Sequence, residues 1–240
     1  SLAAEYSALR TSSGSKMRVL DLGSGKGGTA RFLAKNFGCH VTCMNLGVNQ
    51  NKYAEMKAQE EGISHLISVV KGSFNEPLPA SWTNQFDLVW SQEALCHAAN
   101  RTLAVSEVDR VLKPGGTFVF SDLMKGEEYQ DVRNTFSGGA ITAKLASPSD
   151  YTQAINQAGL KLSVYRDLTG NLAKYFSQTA RTVKQHRVAM LNAGVPQYRL
   201  EAYLNDLTSR SDAIQERAFA WGAFVAKKPS MPGRDGGKGE

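Results

Sequence analysis

The sequence predicts an α/β fold with a Rossmann-like, doubly wound sheet, formed by a single domain over residues 1–228. Three observations predict this fold class. Short apolar segments alternate with segments that repeat apolar residues at helical spacing. A glycine-rich loop, GSGKGG, directly follows the first apolar segment. The 240 residues suffice for one domain with its own core. This alternation is typical of a mostly parallel sheet with helices on both faces.

The first half of the chain contains five predicted strands and three predicted helices. The strands cover residues 17–22, 40–46, 66–72, 86–91 and 117–123, and the helices cover residues 28–37, 49–61 and 99–112. Gly38 and Gly62 each follow a helix directly, as glycine often does at helix C-termini. The run KPGG at residues 113–116 predicts a turn before the fifth strand, because proline cannot continue a helix.

The second half contains more helix than strand. A helix is predicted over residues 149–159, with serines near its N-cap, and a strand over residues 161–168. Residues 171–192 and 198–217 have helical spacing and form a helical insertion, at about 171–217, before a last strand at 218–228. The tail at residues 229–240 is rich in glycine and charge, so we expect it to be mobile.

The glycine loop predicts a small-molecule site at the carboxyl ends of the strands. Gly23, Gly25 and Gly28 match the spacing G-x-G-x-x-G, which on its own is typical of dinucleotide binding. Asp21 argues against a dinucleotide, because a carboxylate near a pyrophosphate costs several kcal/mol. The same carboxylate suits S-adenosylmethionine, which carries an ammonium group and a cationic sulfur. A structural role for Asp21, capping the helix that follows, is compatible with either ligand.

Five segments together resemble the ordered motifs of class I S-adenosylmethionine-dependent methyltransferases. They are VLDLGSGKGG, CMNLGVNQNK, VVKGSF, FDLVWSQEALCH and VDRVLKPGGTFVFSD, and the resemblance covers roughly residues 17–125. Within that class the sequence is most similar to sarcosine/dimethylglycine N-methyltransferases, which make glycine betaine. The resemblance implies S-adenosyl-L-methionine as cofactor, S-adenosyl-L-homocysteine as product, and an antiparallel last strand. Members of that family carry a longer segment before the first strand, so we expect residues that cover the cofactor to lie outside this sequence.

The resemblance also implies roles for particular residues around the cofactor. The methionine half would be held by Asp21, Gly23, Ser24 and Gly25, and Gly28 ends the same loop. Ser91 and Gln92 would close the pocket around the methionine half. The ribose and the adenine would be contacted by Asn45, Leu46, Gln50, Gly72, Ser73 and Phe74. Phe74 would either stack on the adenine or pack in the core. Asn45 stands where dinucleotide folds place an acid, and an amide can also bind the ribose hydroxyls.

Catalysis and acceptor binding are predicted at the ends of the fourth and fifth strands. Methyl transfer needs mainly positioning and exclusion of water, but an amine nucleophile must also lose its proton. His97 is the candidate base and Glu93 the competing one; either residue also suits a structural role. The acceptor is expected to contact Gln92, His97, Asp122, Met124 and Tyr175. Trp221 and Tyr198 would line the pocket or pack in the core.

Other functions stay open at this point. The same fold could methylate sulfur or oxygen of a small thioether or hydroxy acid, as in dimethylsulfoniopropionate synthesis, or the nitrogen of phosphoethanolamine. The net charge of +6 is compatible with a methyltransferase that acts on nucleic acid. However, the stretch WSQEAL lacks the N/D-P-P-Y/F tetrad of enzymes that act on exocyclic base nitrogens. An NAD-binding module is disfavoured by Asp21 and Asn45.

Composition sets the expected surroundings of the protein. No apolar run approaches the roughly 20 residues that span a bilayer, and we expect neither membrane nor nucleic acid as a partner. The three cysteines, Cys39, Cys43 and Cys96, are too few for a disulfide framework, which predicts a reducing compartment, the cytoplasm. Cys39 and Cys43 lack a second pair, so no metal site is predicted. The expected partner is a small-molecule substrate, and a homodimer stays open.

Overall fold

The fold is a seven-stranded mixed sheet covered by helices, described by a computed structural model for residues 17–129 and 145–230. The strand order is β3-β2-β1-β4-β5-β7-β6. The strands are β1 (Arg18–Leu22), β2 (His40–Asn45), β3 (Ile67–Lys71), β4 (Phe86–Gln92), β5 (Leu112–Lys125), β6 (Lys161–Asp167) and β7 (Phe219–Lys227). The predicted α/β class and doubly wound sheet are therefore confirmed.

Seven α-helices connect these strands within the described residues. They are α1 (Gly28–Phe37), α2 (Val48–Glu60), α3 (Arg101–Val111), α4 (Pro148–Gln157), α5 (Thr169–Gln185), α6 (Arg187–Asn192) and α7 (Gln197–Gln215). The single helix predicted over residues 171–192 is instead two helices, which meet at His186. Helix α4 begins at a capping box: the Ser147 side chain accepts from the Asp150 amide, and the Asp150 carboxylate accepts from the Ser147 amide.

The pairing of the strands places a crevice between β1 and β4. β1 pairs in parallel with both β2 and β4, so the connections leave β1 in opposite directions along the sheet. At such a switch point the loops diverge and leave room for a ligand at the carboxyl ends of the strands. β7 runs antiparallel to both of its neighbours, β5 and β6, as expected for the last strand.

Strand β5 begins earlier than predicted. It starts at Leu112, which pairs with Phe86, and the next pair joins Thr117 to Leu88. The four residues between these pairs, the KPGG run predicted as a turn, form an irregularity within the strand. Gly115 adopts φ +80° there, which only glycine does readily. The KPGG run therefore does bend the backbone, as its residues predict, but the strand pairs with β4 on both sides of the bend.

Each face of the sheet buries its own apolar cluster. On one face Leu20, Leu22 and Phe120 pack with buried residues of α3 and α4. On the other face Val19 and Val41 pack with buried residues of α1. Successive residues of β1 thus point to opposite faces, as the period of two in a strand requires. This parity places Asp21 on the α1 side of the sheet.

The structure bears on three expectations from composition: the state of the cysteines, membrane-spanning helices and the C-terminal tail. Cys39, Cys43 and Cys96 are free thiols and buried. No helix within residues 17–129 and 145–230 combines the length and the apolar character needed to cross a membrane. Of the tail predicted to be mobile, residues 231–240 lie outside the described residues.

Candidate functional site

A cleft of about 1180 Å³ opens at the carboxyl ends of β1, β2 and β4. Its volume exceeds the roughly 300–1,000 Å³ of a pocket for one small molecule, so it has room for two ligands. Eleven of the residues predicted for the site line it: Gly23, Gly25, Asn45, Leu46, Gln50, Gly72, Ser73, Phe74, Gln92, Glu93 and His97. The structure therefore brings together in one cleft segments that are up to 74 positions apart in sequence (97 minus 23).

The glycine turn after β1 forms one wall of the cleft. Gly23 has φ +82°, and a Cβ there would lie 2.4 Å from the Cβ of Ala94. Gly25 also has positive φ, but a Cβ on it would meet nothing within 4 Å, because it faces open space. The amide of Gly23 donates to Met44 O at 2.8 Å, which fixes the turn against the end of β2. The two glycines thus keep this wall free of side chains for close approach of a ligand.

The third position of the glycine motif has a different explanation from the predicted one. Gly28 begins α1 and lines no part of the cleft, and a Cβ on it would contact nothing. Gly27, one position earlier, has φ +69°, and a Cβ there would lie 2.9 Å from the Cβ of Ala54 on α2. Glycine is therefore needed at Gly27, for the turn and for the approach of α1 to α2, and a motif match alone does not identify this position.

Asp21 lies buried between the end of β1 and the first turn of α1, with 3% of its surface exposed. The Ala30 amide in the first turn of α1 lies near its carboxyl group and acts to lower its pKa. Its Oδ2 atom is buried and has no hydrogen-bond partner among the described residues. Burial raises the pKa of Asp21 from 3.8 to about 7. An unpaired buried carboxylate oxygen is costly, and a cationic ligand at the glycine turn would offset that cost.

The end of β2 presents an amide network and an exposed apolar side chain. Asn45 Nδ2 donates to Gln50 Oε1 at 3.0 Å and to Asn51 Oδ1 at 3.1 Å, and Asn51 Nδ2 donates back to Asn45 O. Sequence reasoning did not single out Asn51, which holds this turn. Leu46 lines the cleft with 64% of its surface exposed, which is unusual for leucine and suits contact with a planar ring.

The loop after β3 forms the opposite wall. A Cβ on Gly72 would lie 2.9 Å from Met44 Sδ, so no side chain fits there without displacing that methionine. Ser73 Oγ accepts from the Asn75 amide at 3.1 Å. Phe74 both lines the cleft and packs against the main core cluster, which combines the two roles that the sequence left open for it.

The end of β4 carries polar side chains into the cleft. Gln92 Oε1 accepts from Thr29 Oγ1 of α1 at 3.0 Å. Glu93 adopts φ +46°, a left-handed conformation that non-glycine residues rarely take. Glu93 Oε1 accepts from Ser121 Oγ at 2.7 Å and from Trp221 Nε1 at 2.8 Å. These bonds hold the carboxylate in place among the residues that line the cleft.

His97 ends a 3₁₀ turn, Leu95–His97, and lines the same cleft. Burial lowers the pKa of His97, and the charge of Arg101 lowers it further. The imidazole is therefore neutral at physiological pH and able to accept a proton. Arg101 also lines the cleft and donates to Cys96 O at 3.2 Å. Arg101 is thus an arginine that the fold brings to this cleft, and the sequence analysis does not single it out.

The other predicted site residues do not line the cleft, and Asp21, buried behind the glycine turn, is among them. Asp122 and Met124 are fully buried in the sheet, and Tyr175 is 57% exposed on α5. Asp122 accepts hydrogen bonds from Tyr151 and from the Leu123 amide, and burial raises its pKa to about 7. Ser91 is also fully buried and donates to Leu22 O at 2.8 Å. Ser24 has a buried hydroxyl beneath the glycine turn.

The residues of the cleft fit the chemistry of S-adenosylmethionine. The glycine wall allows close approach, and the unpaired Oδ2 of Asp21 suits the ammonium group of the methionine half. Leu46 and Phe74 provide apolar surface for an adenine, with amide groups of Asn45 and Gln50 near the end of β2 for ribose hydroxyls. Glu93 and His97 line the same cleft.

Comparison with known proteins places these features in a family. The family model described as "Methyltransferase domain" matches residues 20–120. The chain is 31% identical over 211 residues to a sarcosine/dimethylglycine N-methyltransferase of Halorhodospira halochloris, covering 88% of this chain and 75% of the relative. It is 34% identical over 215 residues to a glycine/sarcosine/dimethylglycine N-methyltransferase of Actinopolyspora halophila. That match covers 88% of this chain but only 37% of the longer relative.

A solved structure supports the same relationship. The fold matches the crystal structure of a candidate sarcosine dimethylglycine methyltransferase from Galdieria sulphuraria, with a TM-score of 0.82 and 25% identity. The match covers 95% of this chain and 84% of that one. The similarity therefore includes the helical insertion and the last strand as well as the glycine turn.

Proposed function

Because the chain belongs to the family of sarcosine/dimethylglycine N-methyltransferases, we propose that it transfers a methyl group from S-adenosylmethionine to the amine nitrogen of sarcosine or dimethylglycine. The observation that carries this proposal is the common cleft of the glycine turn, Glu93 and His97. This combination supports a cationic donor at one end and an amine acceptor at the other. A neutral imidazole at the acceptor end would take up the proton that an amine substrate must lose.

The glycine turn and its neighbours would hold the cofactor. Asp21 would accept from the ammonium group, the glycines would let the chain of the methionine half approach the backbone, and Leu46 would contact the adenine. When bound, S-adenosylmethionine supplies a methyl group on a sulfonium that is already a good leaving group. The protein therefore contributes mainly positioning and the exclusion of water.

His97 and Glu93 would act on the acceptor. An amino acid enters with a protonated nitrogen, which has no lone pair for attack. His97 accepts that proton at a ring nitrogen, since its lowered pKa keeps it neutral in the free enzyme. Nitrogen then becomes positively charged again as its new bond to carbon forms. The Glu93 carboxylate would stabilise that charge, which is greater in the transition state than in the neutral amine.

A methylation screen with labelled S-adenosylmethionine tests this proposal. The acceptors are glycine, sarcosine, dimethylglycine, a methylthio-hydroxy acid and phosphoethanolamine, each at equal concentration. We expect turnover of sarcosine or dimethylglycine to exceed that of the other acceptors. Turnover of the methylthio-hydroxy acid or of phosphoethanolamine alone would reject the proposed acceptor. The variant His97→Gln separates sulfur from nitrogen acceptors, because a sulfur nucleophile needs no base.

A further inference from the structure

Trp221 lies on β7, and its indole reaches the end of β4. Its Nε1 donates to Glu93 Oε1 at 2.8 Å, across 128 positions of sequence. Ser121 Oγ donates to the same oxygen at 2.7 Å. Two donors on one oxygen restrict the carboxylate more than one would, because a movement that keeps one bond breaks the other. The side chain of Glu93 is thereby held among the residues that line the cleft.

The backbone of Glu93 also depends on this arrangement. Its φ of +46° lies in the left-handed region, which costs a non-glycine residue about 1–2 kcal/mol. The Glu93 amide donates to Ser121 O at 2.9 Å, so Ser121 binds both the backbone and the carboxylate. A conformation with such a cost persists only where its surroundings determine it, and such conformations concentrate at functional sites.

The helical insertion fixes Trp221 in turn. The indole packs against the buried cluster of Leu172, Phe176 and Leu207 from α5 and α7. The Trp221 amide donates to Thr169 Oγ1 at 3.1 Å, and the Trp221 carbonyl accepts from the Leu168 amide at 2.7 Å. Because the start of α5 and the packing of α5 against α7 both set its position, Trp221 links the insertion to the cleft.

The donors that hold Glu93 carry no charge. Trp221 and Ser121 are neutral, and within residues 17–129 and 145–230 no lysine or arginine forms a salt bridge with Glu93. A carboxylate that is positioned by neutral donors keeps its charge for a cation. This differs from a structural ion pair, in which the partner would neutralise it.

We infer that Trp221 is a positioning residue for the acceptor: it acts through Glu93 and fixes the carboxylate that stabilises positive charge on the acceptor nitrogen. This inference rests on the proposed function and deepens it. As the bond between nitrogen and the methyl carbon forms, the bond between carbon and sulfur breaks, and the positive charge passes from sulfur to nitrogen. A carboxylate that is already in place stabilises this charge without reorganising.

The variant Trp221→Phe tests the inference, because it removes the N–H donor and keeps an aromatic ring. Trp82→Phe is the matched control, since Trp82 packs edge-on against Phe86 and lines no part of the cleft. We expect Trp221→Phe and Ser121→Ala each to lower kcat/KM for the acceptor about tenfold, the loss expected for one hydrogen bond to a charged group. The Kd of S-adenosylmethionine should stay within about twofold in both, and Trp82→Phe should change neither quantity.

A double-mutant cycle distinguishes positioning from a general structural effect. It uses Glu93→Gln and the acceptor that the screen finds to be methylated fastest. If Trp221 acts through Glu93, then Trp221→Phe lowers kcat/KM about tenfold in the wild-type background and less than about twofold in the Glu93→Gln background. Equal losses in the two backgrounds would overturn the inference, as would no loss in either.

The indole N–H signals of the three tryptophans in ¹⁵N-labelled protein give a readout without activity. The Trp221 signal is identified by its disappearance in Trp221→Phe. We expect Glu93→Gln to shift this signal and to leave that of Trp82 in place. An unmoved Trp221 signal would refute the hydrogen bond even in an enzyme that methylates amines. If the signal shifts but the enzyme methylates only sulfur, the proposed function is rejected and the hydrogen bond is retained. The double-mutant cycle, measured with the sulfur acceptor, then decides whether Trp221 acts through Glu93.

Discussion

Replacing Asp21 by asparagine should stabilise the ligand-free protein while weakening its affinity for the cofactor. The substitution keeps an oxygen near the Ala30 amide and removes the buried negative charge. Burial raises the pKa of Asp21 from 3.8 to about 7, so the ionised form is disfavoured in the folded protein. At about 1.4 kcal/mol per pH unit, this rise corresponds to about 4 kcal/mol. That figure is the upper limit of the stabilisation expected above pH 7.

The sign of the pH dependence follows from the same pKa. Between pH 3.8 and about 7 the folded protein binds a proton at Asp21 that the unfolded chain has released. The free energy of unfolding therefore falls as the pH rises through this window, and the contribution of Asp21 is fully lost above it. Asp21→Asn lacks this loss. We expect the variant to exceed the wild type in stability by about 1–4 kcal/mol at pH 8, and by much less at pH 4.

Urea unfolding at pH 4 and pH 8, together with calorimetric titration of S-adenosylmethionine, measures both effects. Asp122→Asn is the matched control, since burial raises the pKa of Asp122 to about 7 as well, yet Asp122 lies on β5, whereas Asp21 directly precedes the glycine turn. Both variants should lose part of the pH dependence, but only Asp21→Asn should weaken cofactor binding, by about 10- to 100-fold. An Asp21→Asn variant that binds the cofactor as the wild type does would refute the role assigned to this carboxylate.

Three further predictions concern other residues of the cleft. Gly23→Ala should lose at least about 2 kcal/mol of stability, because φ +82° is strained for alanine and the methyl group would lie 2.4 Å from a neighbouring side-chain carbon; Gly38→Ala, with similar φ but open space, should lose less in the same urea unfolding experiment. His97→Gln should lower kcat by about 100-fold or more. In the wild type, kcat/KM should fall only as the pH drops below 6.5, since the pKa of His97 is lowered, and the variant should lack this limb of the profile. Leu46→Ala should raise the Kd of S-adenosylmethionine about tenfold with little change in stability, whereas Val48→Ala, also exposed but outside the cleft, should leave that Kd unchanged in the same titration.

The parts of the site that the sequence predicts are those set by local structure. A glycine turn between an apolar strand and a helix determines its own conformation, so Gly23 and Gly25 can be identified without knowledge of the rest of the fold. Likewise, residues that follow β4 directly, such as Glu93 and His97, must lie at the carboxyl end of that strand. For these positions the rule that ligands bind at the switch point was sufficient.

Strand β5 shows why local patterns do not predict which of its side chains reach the site. Asp122 and Met124 lie near the end of β5, but their side chains are buried in the core, whereas Ser121, directly before Asp122, donates from its side chain to Glu93. Successive residues of a strand face opposite sides, so a shift of one residue in the expected parity exchanges the two sets. The pairing of β5 with β7, which brings Trp221 opposite Leu123, depends on contacts across about 100 residues and is invisible to local patterns.

The proposed reaction explains why two carboxylates of the site occupy positions that are costly in the free protein. Asp21 is buried with an unpaired oxygen, and Glu93 has a strained backbone. In the proposed reaction, positive charge begins on the sulfur of the donor and ends on the nitrogen of the acceptor. One carboxylate belongs to the donor end of the cleft and the other to the acceptor end. The free protein bears both costs: a bound cationic donor would offset that of the buried Asp21 carboxylate, while the strained turn at Glu93 keeps in place the carboxylate that would stabilise the charge on the acceptor nitrogen.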